Sequence, residues 1–292
     1  MFARAFHLPH QPIDHDMPTS GRFHYLEAVP EVSSLARRPR GAGGGILGTL
    51  VLIHGFPLSA RMWEPQLALS ALGWRVIAPQ LRGFDGTPAA SIASTLDDFA
   101  GDLVDLLDGL HIDQAVICGL SMGGYITLAL FRHAARYFRG MVLADTRAPA
   151  DAPQAAAGRQ RMLQAVRERG ASAAADEMLP KLVCDATRAT QPAVVDTLHD
   201  MMLRNSSETV AGAILALMTR PDATPMLSTI HCPTLIVVGE HDAITPPSMS
   251  EDLQRGISGA ELVVIPDAGH MSNMEQPAAF NAAVGRFLER NV

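Results

Sequence analysis

The sequence predicts an α/β fold, with a mostly parallel central sheet and helices packed on both of its faces. Three observations indicate this class. Short apolar runs alternate with segments of helical periodicity through the first half of the chain. Several of these runs are continuous and rich in branched residues, which is typical of strands buried on both faces of a parallel sheet. A long central stretch has helical segments but no strand-like run, which indicates a helical insertion.

The predicted strands are TLVLIHG (49–55), WRVIAP (74–79), QAVICGL (114–120), GMVLADT (140–146), PTLIVVGE (233–240) and ELVVIP (261–266). Between them, the stretches near 61–72, 95–110 and 125–136 have apolar side chains at helical spacing. Thr95 and Asp98 resemble a capping box, which places the start of the second of these helices. The closing segment, 277–291, has the same helical periodicity.

These patterns divide the chain into four segments. Residues 1–20 are predicted as a loose N-terminal arm, and residues 21–147 as the first part of the α/β core. Within that part, the glycine-rich stretch 37–48 is expected to be a flexible loop before the first central strand. Residues 148–225, with segments such as GRQRMLQAVRERG and VAGAILALM, are predicted as a helical cap over the sheet. Residues 226–292 complete the core.

Composition excludes several classes of protein. The 292 residues have a net charge of −7 with acidic and basic residues interspersed, so no nucleic-acid partner is expected. Cys118, Cys184 and Cys232 are widely spaced, which predicts neither a metal cluster nor a disulfide framework. No segment has the roughly 18 uninterrupted apolar residues of a membrane span, and the N-terminus lacks a signal-peptide pattern. We therefore expect a soluble, cytoplasmic protein without a membrane partner, and the oligomeric state stays open.

The stretch ICGLSMGGY (117–125) raises the question of catalysis. Gly119-Leu120-Ser121-Met122-Gly123 matches G-x-S-x-G between a predicted strand and a predicted helix, which is the context of a nucleophile elbow. The glycines permit the close approach that such a strained turn needs. The alternative is a serine that merely caps the helix, and the strand–helix context favours the nucleophile.

A serine nucleophile needs a base and an orienting carboxylate. His270 follows the last predicted strand, where the base is expected. Asp242 and Asp145 each follow a strand directly, and Asp242 is favoured because it keeps the order serine, aspartate, histidine. Asp267, three residues before His270, is interpreted as a turn former.

An oxyanion needs two donors held in advance. The turn HGFP (54–57) follows the strand TLVLI, and because Pro57 has no N–H, the Phe56 amide is the predicted first donor. The Met122 amide, directly after the serine, is the predicted second donor. Alternatively, HGFP is only a turn that ends a strand.

The motifs HGFP, GLSMGG, GEHDAITP and AGHMSNMEQP stand in an order and spacing that resembles the α/β-hydrolase superfamily, over nearly the whole chain outside residues 1–20 and the cap. GLSMGGY, LADTRA and AGHMSNMEQP resemble the group of 3-oxoadipate enol-lactonases and small carboxylesterases. The resemblance implies a serine hydrolase that cleaves a small, fairly hydrophobic ester or lactone without metal or organic cofactor. Haloalkane dehalogenases and epoxide hydrolases of this fold use aspartate at the nucleophile position, so Ser121 favours acyl chemistry.

Three other functions stay open for the same residues. A carbon–carbon bond hydrolase or a cofactor-free perhydrolase or haloperoxidase would use the same triad of Ser121, Asp242 and His270. A ligand receptor built on a hydrolase fold would bind its ligand with little turnover.

Substrate selection is expected to belong to the helical cap. Its candidate pocket residues are Met178, Met202 and Met218, together with Met162, Leu179, Met201 and Leu215. Each of them is alternatively a core residue at helical spacing. Arg147 is a candidate for binding a substrate carboxylate, or alternatively a plain surface arginine.

Overall fold

The computed structural model describes residues 17–31, 45–87 and 92–292. Most of the predicted N-terminal arm, 1–16, and most of the glycine-rich stretch, 37–44, lie outside the described residues. At the end of the arm segment, Thr19 and Ser20 form a short strand and are therefore part of the sheet.

One eight-stranded sheet organises the described residues, in the order β1-β2-β4-β3-β5-β6-β7-β8. The strands are β1 (Thr19–Ser20), β2 (Phe23–Ala28), β3 (Thr49–Ile53), β4 (Arg75–Pro79), β5 (Ala115–Leu120), β6 (Phe138–Ala144), β7 (Thr234–Gly239) and β8 (Glu261–Ile265). The pairs β1–β2 and β2–β4 are antiparallel, and every other neighbouring pair is parallel. The predicted mostly parallel sheet is confirmed.

The α-helices within the described residues are α1 (Leu96–Gly109), α2 (Met122–Ala134), α3 (Pro153–Arg169), α4 (Ser172–Leu182), α5 (Asp185–Thr190), α6 (Pro192–Leu203), α7 (Ser207–Thr219), α8 (Pro247–Gly256), α9 (Ser272–Glu275) and α10 (Pro277–Asn291). Shorter-pitched 3₁₀ helices cover Ala60–Leu72, Phe84–Gly86, Ala135–Tyr137 and Thr224–Thr229. The predicted capping box of α1 is present, since the Thr95 hydroxyl accepts from the Asp98 N–H and the Asp98 carboxylate accepts from the Thr95 N–H.

The sheet has two apolar faces, as the continuous apolar runs predict. Along β3, Val51 and Ile53 pack with α1, α2 and α7 on one face. Leu50 and Leu52 pack on the other face, with the 3₁₀ helix at 60–72 and with α10. Because successive side chains of a strand point to opposite faces, each central strand contributes to both cores.

Strand β8 departs from the prediction that its apolar run is buried on both faces. Glu261, Leu262 and Val263 are only partly buried, and Val264 is 45% exposed. The reason is position, because β8 is the edge strand and pairs only with β7.

Five α-helices, α3 to α7, lie between β6 and β7, within the segment predicted as the cap. The two ends of this insertion are joined, since the Ala223 N–H donates to the Ala148 carbonyl at 3.0 Å. Across the described ranges, none of the helices is both long and apolar enough to span a membrane.

Candidate active site

Ser121 lies in a sharp turn between β5 and α2. Its φ of 55° and ψ of −114° are unusual for a residue with a side chain. Such strain persists only where the surrounding structure holds it, and it is concentrated at functional sites. The Ser121 carbonyl accepts from the N–H groups of Gly124 and Tyr125, and from the hydroxyl of Thr146.

The glycines around the serine are required by close backbone packing. A Cβ on Gly119 would lie 2.1 Å from the Gly123 carbonyl oxygen. One on Gly123 would lie 2.1 Å from the carbonyl oxygen of Ile53, and one on Gly124 would lie 2.5 Å from the Thr146 hydroxyl. The predicted reason for the glycine spacing therefore agrees with the geometry.

A chain of hydrogen bonds runs from the serine to a buried carboxylate. Ser121 Oγ lies 2.8 Å from His270 Nε2, and His270 Nδ1 lies 2.8 Å from Asp242 Oδ2. His270 follows β8 and Asp242 follows β7, so three strand ends bring the three groups together. Asp242 and His270 are both buried.

The surroundings of Asp242 favour its ionised form. Oδ1 accepts from the backbone N–H groups of Ile244 and Thr245, at 2.8 and 2.9 Å, and Oδ2 accepts from the Thr245 hydroxyl at 2.7 Å. Burial by itself raises the pKa of Asp242, but the charge of His270 and the bonds from His270 and Thr245 outweigh it, so the pKa lies below its usual range. A carboxylate in this state holds the proton of His270 on Nδ1 and leaves Nε2 as an acceptor for the serine.

The alternative acid, Asp145, is buried beside this chain but binds other groups. Its carboxylate accepts from the Gly239 N–H at 2.8 Å and from the Ser272 hydroxyl at 2.5 Å. Burial and the nearby charge of Asp242 raise the pKa of Asp145 well above its usual value. Asp267 is exposed in the turn after β8 with a φ of 53°, as expected of a turn former.

The HGFP turn lies against the serine. A Cβ on Gly55 would be 3.5 Å from Ser121 Cβ. Among the described residues, neither the Phe56 nor the Met122 backbone N–H has a hydrogen-bond acceptor in the protein. Two unpaired donors beside a candidate nucleophile are what an oxyanion site requires.

His54 supports this turn and is not itself a candidate base. Its ring lies 3.0 Å from the Gly55 carbonyl through Nδ1, and its Nε2 accepts from the Leu81 N–H at 3.2 Å. Burial lowers the pKa of His54 to about 4, with the Gly55 bond opposing that shift, so the ring is neutral near pH 7.

Two polar side chains that the sequence analysis missed hold parts of this site. Buried Glu275 accepts from the N–H groups of Gly269 and Met271, on either side of His270, at 2.8 and 3.2 Å. It also accepts from the Cys184 N–H of the helical insertion at 2.9 Å. Its place within AGHMSNMEQP is the only sequence signal that pointed to it.

Asn205, between α6 and α7, is the second missed residue. Its amide nitrogen donates to the Pro57 carbonyl at 2.8 Å, and its amide oxygen accepts from the Asp85 N–H at 2.9 Å. It therefore joins the inserted helices to the HGFP turn. No motif distinguishes it from other polar residues between helices, so no sequence signal was available.

Arg147 bonds to an acidic side chain at the start of the inserted segment. Its guanidinium donates to Asp151 at 2.6 Å and lines a pocket beside α2. Neither Ser121 nor His270 lines that pocket. That Arg147 binds a substrate carboxylate therefore stays a prediction.

The three cap methionines differ in their surroundings. Met202 is fully buried and packs in the core cluster that also contains Leu120, next to the serine, and Met271, next to His270. Met178 is partly buried where the two core clusters meet, and Met218 is partly buried against the other cluster. Core packing therefore describes Met202, while Met178 and Met218 keep some exposed surface.

The arrangement as a whole has the parts of a nucleophilic site. An imidazole with its outer nitrogen on a serine hydroxyl and its inner nitrogen on an ionised carboxylate is suited to remove the hydroxyl proton. The unpaired amides of Phe56 and Met122 are suited to stabilise negative charge on an oxygen.

Comparisons with known proteins agree with this fold and these motifs. Residues 48–277 match the family model described as alpha/beta hydrolase fold. A 3-oxoadipate enol-lactonase from Acinetobacter baylyi is 30% identical over 82% of this chain and 88% of its own length. The structure of a thermophilic esterase from Thermogutta terrifontis superposes with a TM-score of 0.83 and 36% identity, covering 92% of this chain and 93% of the esterase. An enol-lactonase from Burkholderia xenovorans LB400 gives a TM-score of 0.80 and 29% identity, covering 92% of this chain and 96% of the lactonase. The resemblance predicted from the motifs is confirmed, and the chain belongs to the alpha/beta hydrolase fold family.

Proposed function

We propose that this hydrolase cleaves a carboxylic ester or lactone through an acyl-enzyme on Ser121. The observation that carries the proposal is the hydrogen-bond chain from Ser121 Oγ through both ring nitrogens of His270 to Asp242, with 2.8 Å at each step. The esterase and enol-lactonase relatives support this chemistry.

In the first step, His270 Nε2 takes the hydroxyl proton as Ser121 Oγ attacks the ester carbonyl carbon. The oxygen of the tetrahedral intermediate accepts from the N–H groups of Phe56 and Met122. The bond to the alcohol then breaks, and the alcohol leaves with the proton held by His270. In a lactone, this alcohol stays attached to the acyl group.

In the second step, water attacks the acyl-enzyme. His270 takes a proton from the water, the same amides stabilise the new oxyanion, and Ser121 leaves with that proton as the free acid forms. Asp242 stabilises the charged imidazole in both steps. The cycle consumes water and uses no metal or organic cofactor.

The substrate is a small, fairly hydrophobic molecule. Support comes from the methionine-rich composition of the inserted helices, since methionine adapts to irregular ligand shapes. Location in the cytoplasm, and the absence of nucleic-acid or membrane partners, remain predictions from the sequence.

The test is steady-state hydrolysis of p-nitrophenyl esters from acetate to decanoate by the wild type and by Ser121→Ala. Ser258→Ala is the matched control, because Ser258 is exposed in the turn after α8. We expect efficient turnover of short esters by the wild type and the control, and none above background by Ser121→Ala. The chain-length optimum then measures the depth of the acyl pocket.

An inactive wild type across this series would contradict simple esterase function. Lactones come next, followed by vinylogous diketones for a carbon–carbon bond hydrolase. Halide oxidation with hydrogen peroxide tests a perhydrolase, and ligand binding without turnover would indicate a receptor. Activity that persists in Ser121→Ala would refute the acyl-enzyme.

A further inference from the structure

A pocket lies beside α2, between that helix and the two chain segments where the inserted helices leave and rejoin the sheet. Tyr125, Leu128 and Arg132 of α2 line one side. Arg147, just after β6, and Arg220, just after α7, line the other. The pocket is partly open to solvent and has a cavity volume of about 20 Å³.

The charges beside this pocket do not balance. The carboxylate of Asp151, with only 3% of the side chain exposed, contacts three guanidinium groups. The distances are 2.6 Å to Arg147, 2.5 Å to Arg159 and 2.8 Å to Arg220. One buried carboxylate among three arginines leaves an excess of positive charge in a partly desolvated place, which is unfavourable without a further anion.

Two N–H groups of this cluster are also without acceptors. Among the described residues, Arg147 Nε and Arg220 Nε are buried and have no hydrogen-bond partner. The Arg220 side chain is 2% exposed, its other nitrogens donate to Leu217 and Pro149 carbonyls at 3.0 Å, and its guanidinium stacks 4.3 Å over the Tyr125 ring. Buried donors are normally satisfied, so each orphan N–H indicates a missing acceptor.

Other acidic groups around the pocket have partners of their own. Asp97 pairs with Arg132 at 2.6 Å and is half exposed. Asp222 is exposed and accepts from the Thr224 N–H at 2.8 Å, and its charge also interacts with that of Arg220. Burial lowers the pKa of Arg220 in spite of the opposing charge of Asp151, so that carboxylate does not fully compensate the guanidinium.

We propose that this pocket binds the carboxylate of a small-molecule ligand, at a site separate from Ser121. A carboxylate has two oxygens in one plane, which match the planar, fixed donors of guanidinium groups. At the open side of the pocket, it would offset the excess positive charge of Arg147 and Arg220.

The position of the pocket predicts a measurable consequence. Arg147 belongs to the segment leaving the sheet, and Arg220 to the segment returning to it. The two segments already meet at the bond from Ala223 to Ala148. A ligand that contacts both Arg147 and Arg220 links the two ends of the inserted segment. Because it binds the folded protein and not the unfolded chain, binding raises the melting temperature.

The experiment titrates sodium acetate into the full-length protein at constant ionic strength, with sodium chloride and sodium phosphate as separate series. Melting temperature is followed by scanning fluorimetry, and binding by calorimetry. Arg147→Gln is the test variant and Arg159→Gln the matched control, because both arginines bind Asp151 but only Arg147 lines the pocket. Circular dichroism verifies that both variants are folded.

We expect a saturable rise in melting temperature with acetate that chloride does not give. Arg147→Gln is expected to weaken acetate binding by about tenfold or more, as for loss of a charged hydrogen bond, while Arg159→Gln keeps most of it. Equal responses to acetate and chloride, a response to phosphate alone, or equal losses in the two variants would overturn the proposal. Unchanged acetate binding in Arg147→Gln would place the acetate elsewhere, including at the serine, and would equally overturn it.

Discussion

Gly123 offers the sharpest test of how the fold positions the candidate site. It is the second residue of α2, and its Cα faces the end of β3. In Gly123→Ala the new Cβ would lie 2.1 Å from the carbonyl oxygen of Ile53, 2.8 Å from its carbonyl carbon and 3.0 Å from the His54 carbonyl oxygen. All three are backbone atoms, so no side-chain rotation relieves the contact.

The size of the effect follows from these distances. Because contacts of a real Cβ below 3.0 Å are essentially never observed, α2 and the end of β3 must separate by about 1 Å. The β3 backbone continues into Phe56, while α2 begins beside Ser121, so the separation moves the proposed oxyanion donor away from the nucleophile. A misplacement of about 1 Å costs roughly 100-fold in rate. Overpacking costs about 1–3 kcal/mol of unfolding free energy.

The assay measures kcat/KM for p-nitrophenyl acetate and the urea unfolding curve of each variant. Gly101→Ala is the control, since a Cβ there meets nothing within 4 Å and the residue is exposed in α1. Alanine favours a helix over glycine by about 1 kcal/mol, so the control should be slightly more stable with unchanged kcat/KM. The reasoning is refuted if folded Gly123→Ala keeps kcat/KM within about twofold of the wild type, because the close approach would then not determine the site geometry.

Three further perturbations test the supporting groups. Asp242→Asn should lower kcat by about 10⁴-fold with little change in the free energy of unfolding. The loss of kcat is expected because the asparagine amide favours the wrong tautomer of His270, and a near-normal kcat would show that Asp242 has no part in the mechanism. Burial lowers the pKa of His54 in the folded protein to about 4, whereas its ordinary value in the unfolded chain is 6.5. The unfolded chain therefore takes up the His54 proton at a higher pH than the folded protein does. As a result, the free energy of unfolding falls as the pH drops from 6.5 to about 4. Urea titrations at pH 7 and pH 4 measure this decrease in unfolding free energy. In His54→Gln the decrease should be smaller than in the wild type by about 3 kcal/mol, and an equal decrease in both proteins would contradict the prediction. Asn205→Ala leaves the Pro57 carbonyl and the Asp85 N–H without partners, so unfolding free energy should fall by about 1–3 kcal/mol and kcat should fall with it; loss of stability at unchanged kcat would assign Asn205 a structural role alone.

Sequence patterns sufficed for groups whose position depends on local geometry. Ser121 and His270 each follow a strand, and parallel strands bring their carboxyl ends to one edge of the sheet, so both side chains were predictable. Burial of β8 was not predictable, because an apolar run of five residues does not tell whether a strand lies at the centre or at the edge of a sheet.

Sequence analysis could not identify side chains whose hydrogen-bond partners are far away along the chain. Asn205 bonds to a residue 148 positions away, and Glu275 bonds to Cys184 across 91 positions. Neither contact leaves a periodic or compositional trace. Arg147 was identified as a candidate anion ligand, but its direction depends on Asp151, and the sequence does not tell that this carboxylate is buried among three arginines.

The choice between Asp145 and Asp242 shows what the fold adds, since both are buried and both follow a strand. Asp242 has an imidazole at 2.8 Å that can take a positive charge, together with two backbone donors and a hydroxyl, and its pKa is lowered although burial alone would raise it. Asp145 accepts from the neutral donors of Gly239 and Ser272 and lies near the charge of Asp242, so burial and that charge raise its pKa. The pKa values of the two neighbouring carboxylates are shifted in opposite directions, and the carboxylate bonded to His270 is the one placed to stabilise an imidazolium. The hydrogen bond between His270 Nδ1 and Asp242 Oδ2 therefore determines which aspartate is the partner of the base.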